Sequence, residues 1–147
     1  MGNRDVFRFA EKCLYEYPEN HARLEALREA LSDLRSSASV QGQGYEPIGH
    51  GGGGDPVASR AQKIADLERE IFKLERVTSP IVRLHKNLNS EFVLANSLRG
   101  DLSRILNLCY FGGNNNAQVA EILSISERTV YKLRCRLVGM AIQCLGL

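Results

Sequence analysis

The sequence lacks most of what metal binding, membrane insertion or catalysis requires. Its four cysteines, Cys13, Cys109, Cys135 and Cys144, form no C-x-x-C pair and fall within helical patterns. That excludes a zinc site and a disulfide framework, and predicts a reduced, cytoplasmic protein. No window approaches the roughly 18 consecutive apolar residues of a membrane span, and the opening MGNRDVFRFAEK has no apolar leader core. Met1-Gly2 lacks the Ser or Thr at position six that a myristoylation signal needs, so no lipid anchor is indicated. There are three histidines, His21, His50 and His85, and no Ser/His/Asp, Cys/His or paired-carboxylate constellation can be placed around them. No enzyme, cofactor or metal is therefore expected. Sustained alternation of apolar and polar residues is absent as well, which removes strands and leaves an all-α chain.

What is present is helical periodicity, broken once by a tract rich in glycine, serine and glutamine. Val6, Phe9, Ala10, Cys13, Leu14 and Tyr17 keep the spacing of one helix face. Pro18 is expected to end that helix, because proline donates no N–H and disfavours helical dihedrals in the residue before it. Leu24, Leu27, Leu31 and Leu34 then form a seam on a second helix, so that residues 1–36 read as a helical hairpin. Residues 37–55 lose the pattern and read as a flexible linker. Asp55 as a cap and Pro56 at the first helical position restart the pattern, and Ile64, Leu67, Ile71 and Leu74 repeat the seam over residues 56–98. A kink or a restart is expected at Thr78-Ser79-Pro80, with Ser79 as the cap, and a boundary near Arg99-Gly100. The two leucine and isoleucine stripes are candidate oligomerisation surfaces, with packing inside the chain as their simpler use.

Within the linker, GHGGGGDP satisfies the G-x-G-x-x-G spacing of a dinucleotide-binding turn. No strand precedes it, Asp55-Pro56 stands where a phosphate-binding Lys-Ser/Thr pair would be needed, and proline removes one amide that a phosphate would use. It reads as a tether.

Charge is unevenly spread. Residues 98–147 hold six Lys or Arg against three Asp or Glu, whereas residues 1–97 hold thirteen against fourteen. The basic part is also where the pattern is most specific. Asp101 is expected to cap a helix that Gly112-Gly113 with the three asparagines Asn114-Asn115-Asn116 ends, followed by a short helix from about Ala117 to Leu123, the turn Ser124-Ile125-Ser126 and a longer helix from Glu127. This is a tri-helical helix-turn-helix over residues 99–147. Ala120 supplies the small residue at the crossing, and Val119, Leu123, Ile125, Val130 and Leu133 fill the angle. Ser126 caps the second helix, whose outer face displays Glu127, Arg128, Tyr131, Lys132, Arg134, Cys135 and Arg136. Ser126, Glu127, Arg128, Tyr131 and Lys132 are the candidates for reading base edges of double-stranded DNA. Lys132, Arg134 and Arg136 suit phosphates.

The chain resembles the RinA/ArpU group of phage and prophage transcriptional regulators, whose C-terminal part is similar to region 4 of sigma-70 factors. The resemblance rests on EKCLYEYPENHARLEALREAL, on GGGGDPVASRAQKIADLEREIFKLE, and on ILNLCYFGG followed by AQVAEILSISERTVYKL. Asn114-Asn115-Asn116 departs from the Thr-Trp-Glu-like lead that members often carry. The resemblance implies activation of late genes through host RNA polymerase. A homo-oligomer is expected too, since one recognition helix reads few base pairs. The alternatives are a small terminase-like DNA-recognition subunit and a helical scaffold that does not bind DNA.

Overall fold

The computed structural model describes residues 2–41, 56–89 and 97–147. Among the described residues the chain is all-helical: α1 (Asn3–Gln41), α2 (Pro56–Leu88), α3 (Ser97–Ile105) continued by a π-helical turn (Leu106–Phe111), α4 (Asn116–Leu123) and α5 (Glu127–Leu145). None of these helices is long and apolar enough to cross a membrane. The glycine tract, the expected cap Asp55 and most of the segment SEFVLANSL lie outside the described residues.

The N-terminal hairpin is corrected to one helix. α1 runs through Pro18 and on to Gln41, past the expected start of the linker at residue 37. An interior proline costs a helix about 3 kcal/mol, whereas each fully buried leucine contributes roughly 1.5–3 kcal/mol. Ala10, Cys13 and Leu14 are buried before Pro18, and Leu24 and Leu31 after it, so burial on both sides outweighs the lost bond. Tyr17, the residue proline most constrains, is held by stacking on Phe111 at 4.9 Å. Pro80 likewise sits inside α2, which continues to Leu88 without the expected restart. Ile81, Leu84 and Leu88 are buried beyond it. Thr78 Oγ1, two residues before Pro80, is buried without a hydrogen-bond partner.

The described residues divide into two compact units, His21–Glu75 and Met1–Asn20 with Arg76–Leu147. In the unit His21–Glu75 the two stripes meet each other: Leu24, Leu31 and Ile71 are buried, with Leu27, Ile64, Leu67 and Leu74 packed against them. Leu34 lines an open groove of about 630 Å³ with Ala30 and Leu67. Faces expected for a second copy are thus occupied within the chain. Exposed ion pairs flank the seam: Arg23–Glu70 at 3.5 Å, Arg28–Glu75 at 2.8 Å, and Arg35–Glu68.

The other unit has the larger core, in which Leu14, Ile81, Leu84, Leu102, Ile105, Leu106, Val119, Val130, Leu137 and Val138 are all buried. Asp101 does not cap α3. It lies inside that helix, 3.9 Å from Arg104, and Gly100 is helical too. Burial of Leu102, Ser103 and Ile105 carries the helix through them. The double glycine does end this segment as expected. Gly113 takes φ +73°, and a Cβ on Gly112 would stand 2.8 Å from the Leu108 carbonyl oxygen. The Asn114 amide and side chain both donate to that oxygen, at 3.1 and 2.9 Å.

Candidate nucleic-acid interface

α4 starts on a reciprocal cap. The Gln118 amide donates to Asn115 Oδ1 and the Asn115 amide donates to Gln118 Oε1, each at 2.9 Å. Two of the unpaired N–H groups at a helix start are satisfied this way. The triple asparagine, read from sequence as part of a helix end and as a departure from the family pattern, therefore also starts a helix, and the Asn-x-x-Gln spacing carries it. α4 stops at Ser124, which adopts the left-handed conformation with φ 55° and ψ 44°. The Ile125 amide donates to the Ala120 carbonyl at 3.0 Å across the turn. A left-handed serine costs some strain where glycine would not, and the packing of Ile125 into the core holds it.

Ser126 caps α5, its Oγ accepting from the Thr129 amide at 3.1 Å, and Glu127 follows in the first turn where a negative charge suits the helix dipole. Val119 and Ala120 of α4, with Val130, Leu133 and Leu137 of α5, are all buried. These are the positions that the angle between two such helices must fill.

The opposite face of α5 is open. Ser126, Glu127, Arg128, Tyr131, Lys132 and Arg136 are exposed, and Tyr131 presents 62% of its surface. Arg128, Lys132 and Arg136 recur one turn apart, and among the described residues none of them is in an ion pair. Three unneutralised cations in line on a capped helix make this face locally positive. Cys135, half-buried, adjoins Tyr131, and that contact pushes the phenol of Tyr131 upward.

Arg134 is corrected. Its side chain is only 19% exposed and faces the interior of the unit. Nη2 donates to Glu11 Oε1 at 2.8 Å and to Tyr15 Oη at 2.7 Å, Nη1 to Asn116 Oδ1 at 2.7 Å, and Nε to Tyr110 Oη at 3.3 Å. The guanidinium also lies over the Tyr110 ring, 5.3 Å from its centre. Tyr110 Oη donates in turn to Glu11 Oε1 at 3.0 Å, and Tyr15 meets Tyr110 edge-on at 4.7 Å. Burial pushes the Tyr110 phenol well above its ordinary range and the nearby Arg134 pulls it partly back, so the hydroxyl stays neutral and keeps its proton for Glu11. With Nε, Nη1 and Nη2 all donating to these internal acceptors, this arginine is not placed for phosphate. Glu11, Tyr15, Tyr110 and Asn116 are the residues that sequence reasoning missed here. Glu11 and Tyr15 are one turn apart on α1, but nothing local ties them to a residue more than a hundred positions away.

Among the described residues no group of His, Cys, Asp or Glu is arranged to hold a metal ion. His85 meets the Phe111 ring edge-on at 5.5 Å. No protein-family model, no curated protein and no solved structure matches this chain.

Proposed function

We propose that this chain is a sequence-specific regulator that binds duplex DNA, of the kind that activates phage or prophage late genes through host RNA polymerase. One observation carries the reading: the exposed, unpaired line Arg128, Lys132 and Arg136 on a helix capped by Ser126 and preceded by a tight left-handed turn. In such a motif the first turns of the second helix enter the major groove. Ser126, Glu127, Arg128, Tyr131 and Lys132 then face base edges, with Arg128 suited to guanine and Glu127 to the amino group of cytosine. Arg136, two turns beyond Arg128, suits the phosphate backbone, and Lys132 can serve either role. The family resemblance, carried by its motifs, adds transcription and late genes to DNA binding. Two copies on one operator would supply the site length that a single helix lacks.

Selection of duplexes from a random-sequence pool, followed by gel shift at two salt concentrations, tests this. A preferred sequence should emerge. Arg128→Ala should relax the preference at one base pair by about 1–3 kcal/mol, and Lys132→Ala should weaken binding and flatten the salt dependence. Failure to retain any duplex from the pool would remove the proposal.

A further inference from the structure

We infer that Glu11 and Tyr15 of α1 are positioning residues for the candidate recognition helix and act on it through Arg134, so that the first part of α1, as far as Asn20, belongs to the DNA-reading unit. This rests on the DNA-binding reading above. Arg134 stands on the second turn of α5, between Lys132 and Arg136, and its four acceptors come from three other elements: Asn116 from the first residue of α4, Tyr110 from the π turn, and Glu11 and Tyr15 from α1. The apolar contacts of α5 are non-directional and permit small rolls about its axis. A planar guanidinium bonded on three sides does not, because its donors form a rigid fork. Two of the three sides could be closed within the C-terminal helices alone. Glu11 and Tyr15 close the third, and only Glu11 supplies the opposite charge.

The arrangement contributes more to register than to stability. A largely buried ion pair is commonly matched in stability by apolar residues of the same volume, whereas register is the best-attested use of such groups. Reading a base edge demands a roll and depth held within a fraction of an ångström, as for any preorganised site. Phosphate contacts, made by long flexible side chains, are more forgiving.

The two roles predict opposite signs. Glu11→Gln removes a negative charge from a DNA-binding protein, which by electrostatics alone raises affinity for any duplex. The positioning role lowers affinity for the selected duplex while leaving random duplex bound as before. The test measures the ratio of affinities for the selected duplex and for a random-sequence duplex, in the full chain, for the wild type, Glu11→Gln, Glu11→Asp and Tyr15→Phe, with circular dichroism to check folding. The expected result is a ratio about tenfold lower for Glu11→Gln, the size of one lost base contact, with an unchanged salt slope and partial recovery in Glu11→Asp. Tyr15→Phe, which deletes one hydroxyl from a half-exposed residue, should lower the ratio less, and it decides the matter if Glu11→Gln does not fold. A wild-type ratio in the folded variants, or a parallel loss for both duplexes, overturns the inference and leaves DNA binding standing. A wild-type chain that binds no duplex removes both.

Discussion

The two compact units are built from the same three-and-four spacing of apolar residues, yet they hold together differently. In His21–Glu75 two helices meet along one seam, and only Leu24, Leu31 and Ile71 are buried; their neighbours keep one side open to water. Where α3, α4 and α5 pack with the first turns of α1 and the end of α2, the same kind of stripe is enclosed from several directions. Polar groups follow the same division. The seam is flanked by exposed arginine–glutamate pairs, whereas the larger unit contains one enclosed arginine with four acceptors. The number of helices around a stripe, and not the stripe itself, sets how deep the core becomes and whether a charge inside it is fixed in direction.

The largest expected effect probes that depth. Leu137→Ala, at a fully buried position, should destabilise the larger unit by about 2–5 kcal/mol, the usual cost of a core leucine. Leu27→Ala, half-buried at the seam, should cost roughly 1 kcal/mol, in proportion to the area it removes from water. Urea unfolding of both variants measures the difference, and equal losses would break the contrast between the units.

Next in size is an alkaline effect confined to the larger unit. The Tyr110 phenol is raised above its ordinary value of 10.0, chiefly by burial. Its contribution is intact below about pH 10, where the phenol is protonated in folded and unfolded chains alike. Above that the unfolded chain loses its proton first, so stability falls as pH rises. Cys13 and Cys109, also raised by burial from 9.0, add a loss of the same sign that starts lower. Chemical denaturation at pH 9, 10 and 11 should show this decline, and Tyr110→Phe should flatten its upper part. An unchanged decline in the variant would place the titrating group elsewhere.

The smallest effect is at the seam's flank. Arg35→Ala removes a pair whose side chains are both about half exposed, and should cost less than about 1 kcal/mol, fading in high salt. A larger loss would mean that the exposed pairs direct the seam in the way Arg134 directs the larger unit.

The pair α4 and α5, with the tight turn between them, was legible because its rules are local. Ser126 as a cap, Ser124 at the turn and the spacing of Val119, Ala120, Ile125, Val130 and Leu133 lie within fifteen residues, and each has its own physical requirement. The open face of α5 was legible for the same reason, with the exception of Arg134 and the half-buried Cys135. Helical periodicity assigns a direction to a side chain but does not say what waits there, and the partners of Arg134 on α1 are 119 and 123 residues away in sequence. The prolines failed as stop signals for a related reason. Their penalty is local and fixed, while the burial that overrides it at Pro18 and Pro80 depends on elements far along the chain. Asn115 is different: its reciprocal bond with Gln118 spans three residues and was within reach of the sequence, had the triple asparagine been read as a start as well as a stop.

The π turn at Leu106–Phe111 has a consequence for angular phase. In an ordinary α-helix residues five apart point about 140° away from one another, since each step turns the chain by about 100°. In a π turn the bonds link i to i+5, and such residues lie nearly one above the other. Ile105 and Tyr110 are five apart and both buried, as are Leu106 and, in part, Phe111. The turn therefore acts as a phase shifter. It lets a single continuous helical segment place Ile105 in the core and still deliver the Tyr110 hydroxyl to Glu11 and Arg134, which a helix of uniform pitch would point elsewhere.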